Sequence, residues 1–295
     1  MLKIFCFGEI LWDVFATHKK IGGAPLNVAL RLQSLKNKVS IISSVGKDIE
    51  GEELINFIKE HNVNVDFIQI NEKYRTGNVK VTLDKFGSAT YDIQYPSSWD
   101  FIEFNNELVN SIETSDAFIF GSLITRNKVS KETLYHLIKS SKYSIFDVNL
   151  RAPHYTKDIL IDLLHKSDFV KFNDDELLEI SNFLGSRLKS IEKNIEFIAE
   201  KTNTSHICVT RGSNGAILYY NKKFYSNSGY SVSVKDTVGA GDSFLATLIN
   251  FLLKKEPPQK AIDIACAMGA LVAKNEGANP KITQEEIFNL MKTSY

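Results

Sequence analysis

The chain has 295 residues, 43% hydrophobic and 24% charged, with 35 Lys plus Arg against 35 Asp plus Glu. It is apolar enough to bury a sizeable core, which excludes disordered and fibrous classes. Balanced charge without a long basic run excludes the electrostatic footprint of a nucleic-acid binder.

Strand-length apolar runs alternate with segments of helical period, the pattern of βαβ units on a mostly parallel sheet. In chain order, a strand at 3–8 precedes Gly8-Glu9 and Asp13, and a helix at 24–37 opens on Gly22-Gly23-Ala-Pro-Leu-Asn27. Its glycine pair lets a ligand approach the backbone, and Pro25 suits a first turn. A strand at 39–43 and a helix at 50–61 follow. Residues 11–21 and 74–96 break the alternation, and the second stretch carries two β runs split by Lys85-Phe86-Gly87-Ser88, a hairpin signal. Antiparallel pieces in a parallel chain pack off the main sheet, and a lid over its ligand-binding edge is expected. Neither a linker nor an internal repeat divides the chain, so 1–295 reads as one domain.

Strands at 116–121, 143–148, 168–172 and 206–210 alternate with helices at 130–141, 156–165 and 173–184, and helices at 240–254, 258–274 and 283–292 complete the chain. Asp147-Val-Asn149-Leu-Arg151 ends one strand, where open α/β sheets bind ligands, and strand alternation points its three polar residues one way. Asn173-Asp174-Asp175-Glu176 opens a helix, where capping alone could account for all four residues. Thr210-Arg-Gly212-Ser-Asn-Gly215 ends a further strand. Asp236-Thr-Val238-Gly239-Ala240-Gly241-Asp242 then empties directly into a helix. Its glycines let the N–H groups of Val238 to Asp242 approach an anion at the positive end of the helix dipole. Asp242 is out of place beside an anion unless it takes a proton from the group that attacks it; capping is the plain alternative.

Asp-Thr-x-Gly-Ala-Gly-Asp resembles the C-terminal signature of the ribokinase-like (PfkB) carbohydrate kinases, and the Gly8-to-Asp13, Gly-Gly...Asn, Asp-x-Asn-x-Arg, Asn-x-x-Glu and Thr-x-Gly-x-x-Gly elements resemble the family's other marks in order. The resemblance runs from about residue 4 to residue 281. It implies a doubly wound α/β sheet flanked by helices, with a small β lid, and a kinase that uses ATP and Mg²⁺. Asp242 would be the general base, with Gly239, Ala240 and Gly241 in the anion hole and Arg151 on the substrate or the moving phosphoryl group. Asp13, Gly23 and Asn27 would hold sugar hydroxyls, Asn173 and Glu176 water-bound Mg²⁺, and Thr210, Gly212, Gly215 and Asn275 the nucleotide. A monovalent-cation (K⁺) site is implied at Asp236, Val238, Ala273 and Gly277. There Lys281 replaces the usual short hydroxyl residue, so its ammonium either stands in for the ion or turns to solvent. Cys266 replaces an adenine-contacting Asn of many relatives.

Cys6, Cys208 and Cys266 are odd in number, lie in apolar segments and lack Cys-x-x-Cys spacing, which points to buried thiols rather than a disulfide or zinc site. With no signal peptide and no run of about 18 apolar residues, a cytoplasmic location without a membrane partner is expected. Gly-x-x-x-x-Gly-Lys-Ser/Thr and Gly-x-Gly-x-x-Gly strings are missing, which disfavours P-loop and dinucleotide enzymes. The compact N-terminal motifs are most similar to the family's fructokinases. Ribose, 2-keto-3-deoxygluconate and other ketoses stay open, as does a catalytically silent, sugar-sensing relative. Asn78, Tyr91 and Tyr95 are pocket candidates from the lid, Arg75 or Lys80 would be needed for a phosphosugar, and the lid's exposed face could pair two copies.

Overall fold

A computed structural model describes residues 1–83 and 89–292 of the chain; the expected hairpin turn at Lys85 to Ser88 lies outside the described residues. The chain opens with β1 (Lys3–Phe7), β2 (Leu11–Val14) and β3 (Lys19–Gly22), then α1 (Ala24–Ser34), β4 (Lys38–Gly46), α2 (Ile49–Glu60) and β5 (Ile68–Asn71). Strands β6 (Gly77–Leu83) and β7 (Ala89–Ile93) follow. Next come α3 (Asn106–Glu113), β8 (Ala117–Gly121), α4 (Lys128–Ser140), β9 (Ser144–Asp147), α5 (Lys157–His165), β10 (Phe169–Asn173) and α6 (Asp174–Phe183). After α7 (Ile191–Thr202) come β11 (His206–Thr210), β12 (Ala216–Tyr220) and β13 (Lys223–Asn227), and the chain ends through α8 (Ala240–Leu253), α9 (Pro258–Ala273) and α10 (Gln284–Lys292).

The main sheet has the order β13-β12-β11-β10-β9-β8-β1-β4-β5, parallel from β11 to β5, with β12 and β13 added antiparallel. Side chains of β1 alternate between its two faces. Ile4 and Cys6 join one core with Leu26, Phe244, Leu245 and Ile264, whereas Phe5 and Phe7 join the other with Phe118, Phe120, Phe146 and Leu134. Both faces of the strands are therefore covered by helices, which is why the strands read as continuous apolar runs. Strand β1 pairs with β4 on one side and β8 on the other, so the strand order reverses there and opens a crevice at the strands' C-terminal ends.

A second sheet, β3-β2-β6-β7, is built from the two stretches that broke the alternation. It is mixed rather than purely antiparallel, because β2 and β6 run parallel. Leu11, Val79 and Val81 form its own small apolar cluster with Phe15 and Ile93. Among the described residues, no helix is long and apolar enough to cross a membrane.

Candidate active site

The polar residues of the sequence motifs converge where β1, β9, β10 and β11 end. Gly23 precedes α1 at φ 111, and a side chain there would collide with the Glu9 carbonyl, so only glycine lets the helix start against the end of β1. One turn in, Asn27 donates from Nδ2 to Asp242 Oδ2 at 2.8 Å and accepts from Asn279 Nδ2 at 2.9 Å. A further turn on, Arg31 donates to Ser243 Oγ at 3.1 Å and to the Pro280 carbonyl at 3.0 Å. One face of α1 is thus clamped to the first turn of α8. Asp13 stands on the small sheet in register with Val79, which pairs with Ile93, so Val79, Val81, Tyr91 and Ile93 share its face. Asn78 and Lys80 point the other way by strand alternation, and Asn78 Nδ2 donates to Glu50 Oε2 at 3.0 Å. That removes Asn78 and Lys80 from the pocket. Tyr95, beyond β7, accepts from Asn127 Nδ2 at 3.1 Å.

At the glycine turn, Gly239 has φ 75 and packs against the loop after α9: a Cβ on it would meet Ala278 Cα at 2.5 Å. The turn offers fewer free donors than its sequence suggests. Val238 N–H goes to Asp236 Oδ1 at 3.0 Å and Ala240 N–H to the Thr237 carbonyl at 3.2 Å, so neither is available to an anion. Among the described residues the N–H groups of Gly239, Gly241 and Asp242 have no protein acceptor. Gly239→Ala is expected to destabilise the protein by roughly 1–3 kcal/mol, because a left-handed non-glycine residue is strained and backbone must also move. Urea unfolding checks this, and an unchanged midpoint would show that the turn is slack.

Beneath the turn lies a residue that motif reading passed over. Lys171, in the middle of β10, is 6% exposed; its ammonium lies 2.7 Å from Asp147 Oδ1 and 3.7 Å from where a Cβ on Gly241 would sit. Its signal was a lysine inside Phe-Val-Lys-Phe, since a charge in a doubly covered strand needs a partner. Burial pulls its pKa down, but the Asp147, Glu176 and Asp242 carboxylates together hold it above the ordinary lysine range. Asp242 is partly exposed at the crevice. Burial, then the charge of Asp147, lift its carboxyl to about 6, against the Asn27 hydrogen bond and the charges of Lys171 and Arg151. Arg151 reaches this constellation by a turn, not by strand alternation as its spacing suggested. Strand β9 stops at Asp147, and Asn149 takes φ 38. From there the Arg151 charge acts on Glu9, Asp13 and Asp242. Burial lifts Asp13 to about 6, against Arg151 and Lys20.

Asn173 and Glu176 form a capping box: Asn173 Oδ1 accepts Glu176 N–H, and Glu176 Oε2 accepts Asn173 N–H, each at 2.8 Å. Glu176 Oε1 also takes Leu150 N–H at 2.8 Å, tying α6 to the Arg151 turn. Burial first, then the charge of Asp147, push the Glu176 carboxyl up, partly offset by Lys171. Three carboxylates, Asp147, Glu176 and Asp242, thus surround one buried ammonium. Mg²⁺ fits this excess of negative charge if it is held through water and phosphate oxygens, since Mg²⁺ keeps several waters. Among the described residues no group of three or more His, Cys, Asp or Glu is arranged to hold a metal directly.

A cleft of about 510 Å³ continues from the turn between β11 and α9, lined by Thr210, Gly212, Gly215, Thr237, Gly241 and Cys266 among others. Asn275 does not line it; its amide turns back to the Leu271 carbonyl at 2.8 Å and caps α9. Ala273 is also a poor cation ligand, because its carbonyl already accepts N–H groups from Lys235 at 2.9 Å and Asp236 at 3.3 Å. Asp236 Oδ2 accepts Gly277 N–H at 3.0 Å, and Lys281 is exposed, so of its two placements solvent is the one adopted. A second cleft, about 420 Å³ beside β5 and Phe104, contains none of these residues.

Comparison with known proteins gives the family. The pfkB family carbohydrate kinase model matches residues 2–285. A putative sugar kinase of Pyrococcus horikoshii is 32% identical over 83% of this chain and 77% of its own, and probable fructokinase-6, chloroplastic, of Arabidopsis thaliana is 28% identical over 96% and 80%. A fructokinase double mutant from Vibrio cholerae O395, solved with fructose, ADP and potassium ion bound, superposes with a TM-score of 0.85 at 23% identity over 99% of this chain and 98% of that one. The overlap of fold, ordered motifs and whole-chain match leaves one assignment: this chain belongs to the pfkB family of carbohydrate kinases, phosphotransferases that act on sugars.

Proposed function

We propose that this kinase phosphorylates a hydroxymethyl group of fructose, giving fructose 6-phosphate, with ATP as donor. The observation that carries the reading is the Asn27–Asp242 hydrogen bond, which joins a residue of the sugar set to the one carboxylate in the first turn of the phosphate set. Fructose lies against Asp13, Gly23 and Asn27, its attacking hydroxyl turned to Asp242. The Asp242 carboxylate takes the hydroxyl proton as that oxygen bonds to the γ-phosphorus and the bond to the β–γ bridging oxygen breaks, releasing ADP. N–H groups of Gly239, Gly241 and Asp242 hold the transferring oxygens, with Lys171 below and Arg151 to the side. Bound Mg²⁺ supplies charge neutralisation across the phosphates. Thr210, Gly212 and Gly215 wall the nucleotide cleft. The small sheet acts as the lid, and its apolar face of Val79, Val81 and Ile93 keeps water from competing with the sugar as acceptor.

Fructose is favoured because fructokinases recur among the relatives and because the complex from Vibrio cholerae contains it. A coupled ADP-release screen over fructose, ribose, 2-keto-3-deoxygluconate, nucleosides and fructose phosphates tests the choice. Fructose should give the largest kcat/KM. A higher value for any other acceptor would reassign the substrate and leave the kinase chemistry standing.

A further inference from the structure

Asn279 belongs to none of the sequence motifs and takes no part in the proposed transfer step. It lies half-buried on the loop between α9 and α10, and its Nδ2 donates to Asn27 Oδ1 at 2.9 Å across 252 positions of sequence. Its neighbours anchor the loop on the same two helices. Ala278 packs against the left-handed Gly239, and the Pro280 carbonyl accepts from Arg31, which also donates to Ser243 in the first turn of α8. Consecutive loop residues thus meet the glycine turn, Asn27 and Arg31.

An amide side chain can be turned end for end, and its neighbours decide which end faces where. At Asn27 the decision is chemical. An ionised Asp242 only accepts, so Asn27 must offer Nδ2 to Oδ2, at 2.8 Å, and its Oδ1 is then left for Asn279. Turned over, Asn27 would set an acceptor against the carboxylate and a donor against the donor of Asn279. Asn279 Oδ1 is buried without a hydrogen-bond partner, so this amide is oriented by its bond to Asn27 and by nothing at its other end. We propose that Asn279 is a positioning residue for the general base: its amide fixes the orientation of Asn27, and Asn27 so oriented keeps a donor on the Asp242 carboxylate. The proposal rests on the kinase reading of the site. Its consequence is a titration. Burial, then the charge of Asp147 at the end of β9, push the Asp242 carboxyl up, whereas the Asn27 hydrogen bond, Lys171 of β10 and Arg151 of the turn after β9 draw it down. Glu9, just after β1, is coupled to it by charge.

Asn279→Leu, similar in shape and without a donor, is compared with Asn27→Leu and with the double variant. Infrared difference spectra of each protein against the same protein carrying Asp242→Asn follow protonation of the Asp242 carboxyl with pH, independently of turnover. Loss of a hydrogen bond to a charged group moves such a titration upward by about one unit. Asn27→Leu should show that rise, Asn279→Leu between about half and all of it, and the double variant no more than Asn27→Leu alone. With the best acceptor from the screen, the acid limb of kcat/KM should move to higher pH in Asn279→Leu as its carboxyl titration does. An unmoved titration in Asn279→Leu, as a merely structural role would give, or shifts that add in the double variant, overturns the proposal. Where Asn279→Leu does not fold, Asn279→Ala removes the donor without adding volume and carries the same comparison. If no acceptor stimulates ADP release from the wild-type enzyme, the kinase reading fails instead, and the infrared titration still decides whether Asn279 acts on Asp242 through Asn27.

Discussion

Replacing Asp242 by Asn is expected to lower kcat by about 10² to 10⁴-fold, the usual worth of a positioned general base, with ATP affinity nearly unchanged. Asn keeps an oxygen for the Asn27 amide and leaves the glycine turn intact, so the loss isolates proton transfer. Initial rates under saturating sugar and ATP, with calorimetric titration of ATP, separate the two quantities. Near-wild-type turnover would remove Asp242 from the base role.

The same carboxyl links activity and stability to pH with opposite signs. Burial and Asp147 raise it from an ordinary 3.8 to about 6. As pH falls through about 6 it takes up a proton in the folded enzyme and can no longer accept one from the sugar, so kcat/KM falls on the acid side. For stability the folded state binds this proton more tightly than the unfolded chain does. The penalty of the buried charge is thus absent below 3.8 and fully present above about 6. Asp242→Asn removes that penalty, so it should melt above wild type at neutral pH, with the gap closing towards acid. Such a trade of stability for a charge is what the proposed base role predicts.

The second large effect is expected at Lys171. Lys171→Met leaves Asp147 buried without its partner at 2.7 Å, and removing one member of a buried pair costs about 3–5 kcal/mol. Asp242 loses a counter-charge as well, so its carboxyl rises further and the acid limb of kcat/KM moves to higher pH. Adding Asp147→Asn to Lys171→Met should restore part of the stability, since Asp147 is then no longer an unpaired charge while Glu176 and Asp242 still lack the ammonium, without restoring turnover. Urea unfolding of the single and double variants, beside their pH profiles, measures both effects. A stability loss below about 1 kcal/mol in Lys171→Met would mean the pair behaves like a surface contact.

Much of this protein was legible without coordinates because its signals are local. Alternation of apolar runs located β1, β4, β8, β9, β10 and β11 to within a few residues, and Pro25, Asn173 with Glu176, and the glycines at 239 and 241 marked helix starts. Helix α7 escaped because five charged residues in Ile191–Thr202 mask the spacing of Ile191, Ile195 and Ile198. Strands β5 and β13 escaped because edge strands are only half covered and carry no strong period. Motif order identified the glycine turn, the capping box and the cleft residues, since each depends on a few neighbours in sequence.

What the chain could not reveal alone depends on which residues meet across long separations. Asn27 and Asp242 lie 215 positions apart, and their hydrogen bond exists only because α1 packs on α8. Lys171 under Gly241, and Arg151 among the carboxylates of Glu9, Asp13 and Asp242, are likewise products of strand order. Competition for hydrogen bonds settled the rest. Val238 and Ala240 spend their N–H groups inside the turn, Ala273 its carbonyl on Lys235 and Asp236, and Asn275 its amide on Leu271. A motif fixes which groups are near one another; the folded packing fixes which of them are still free to bind.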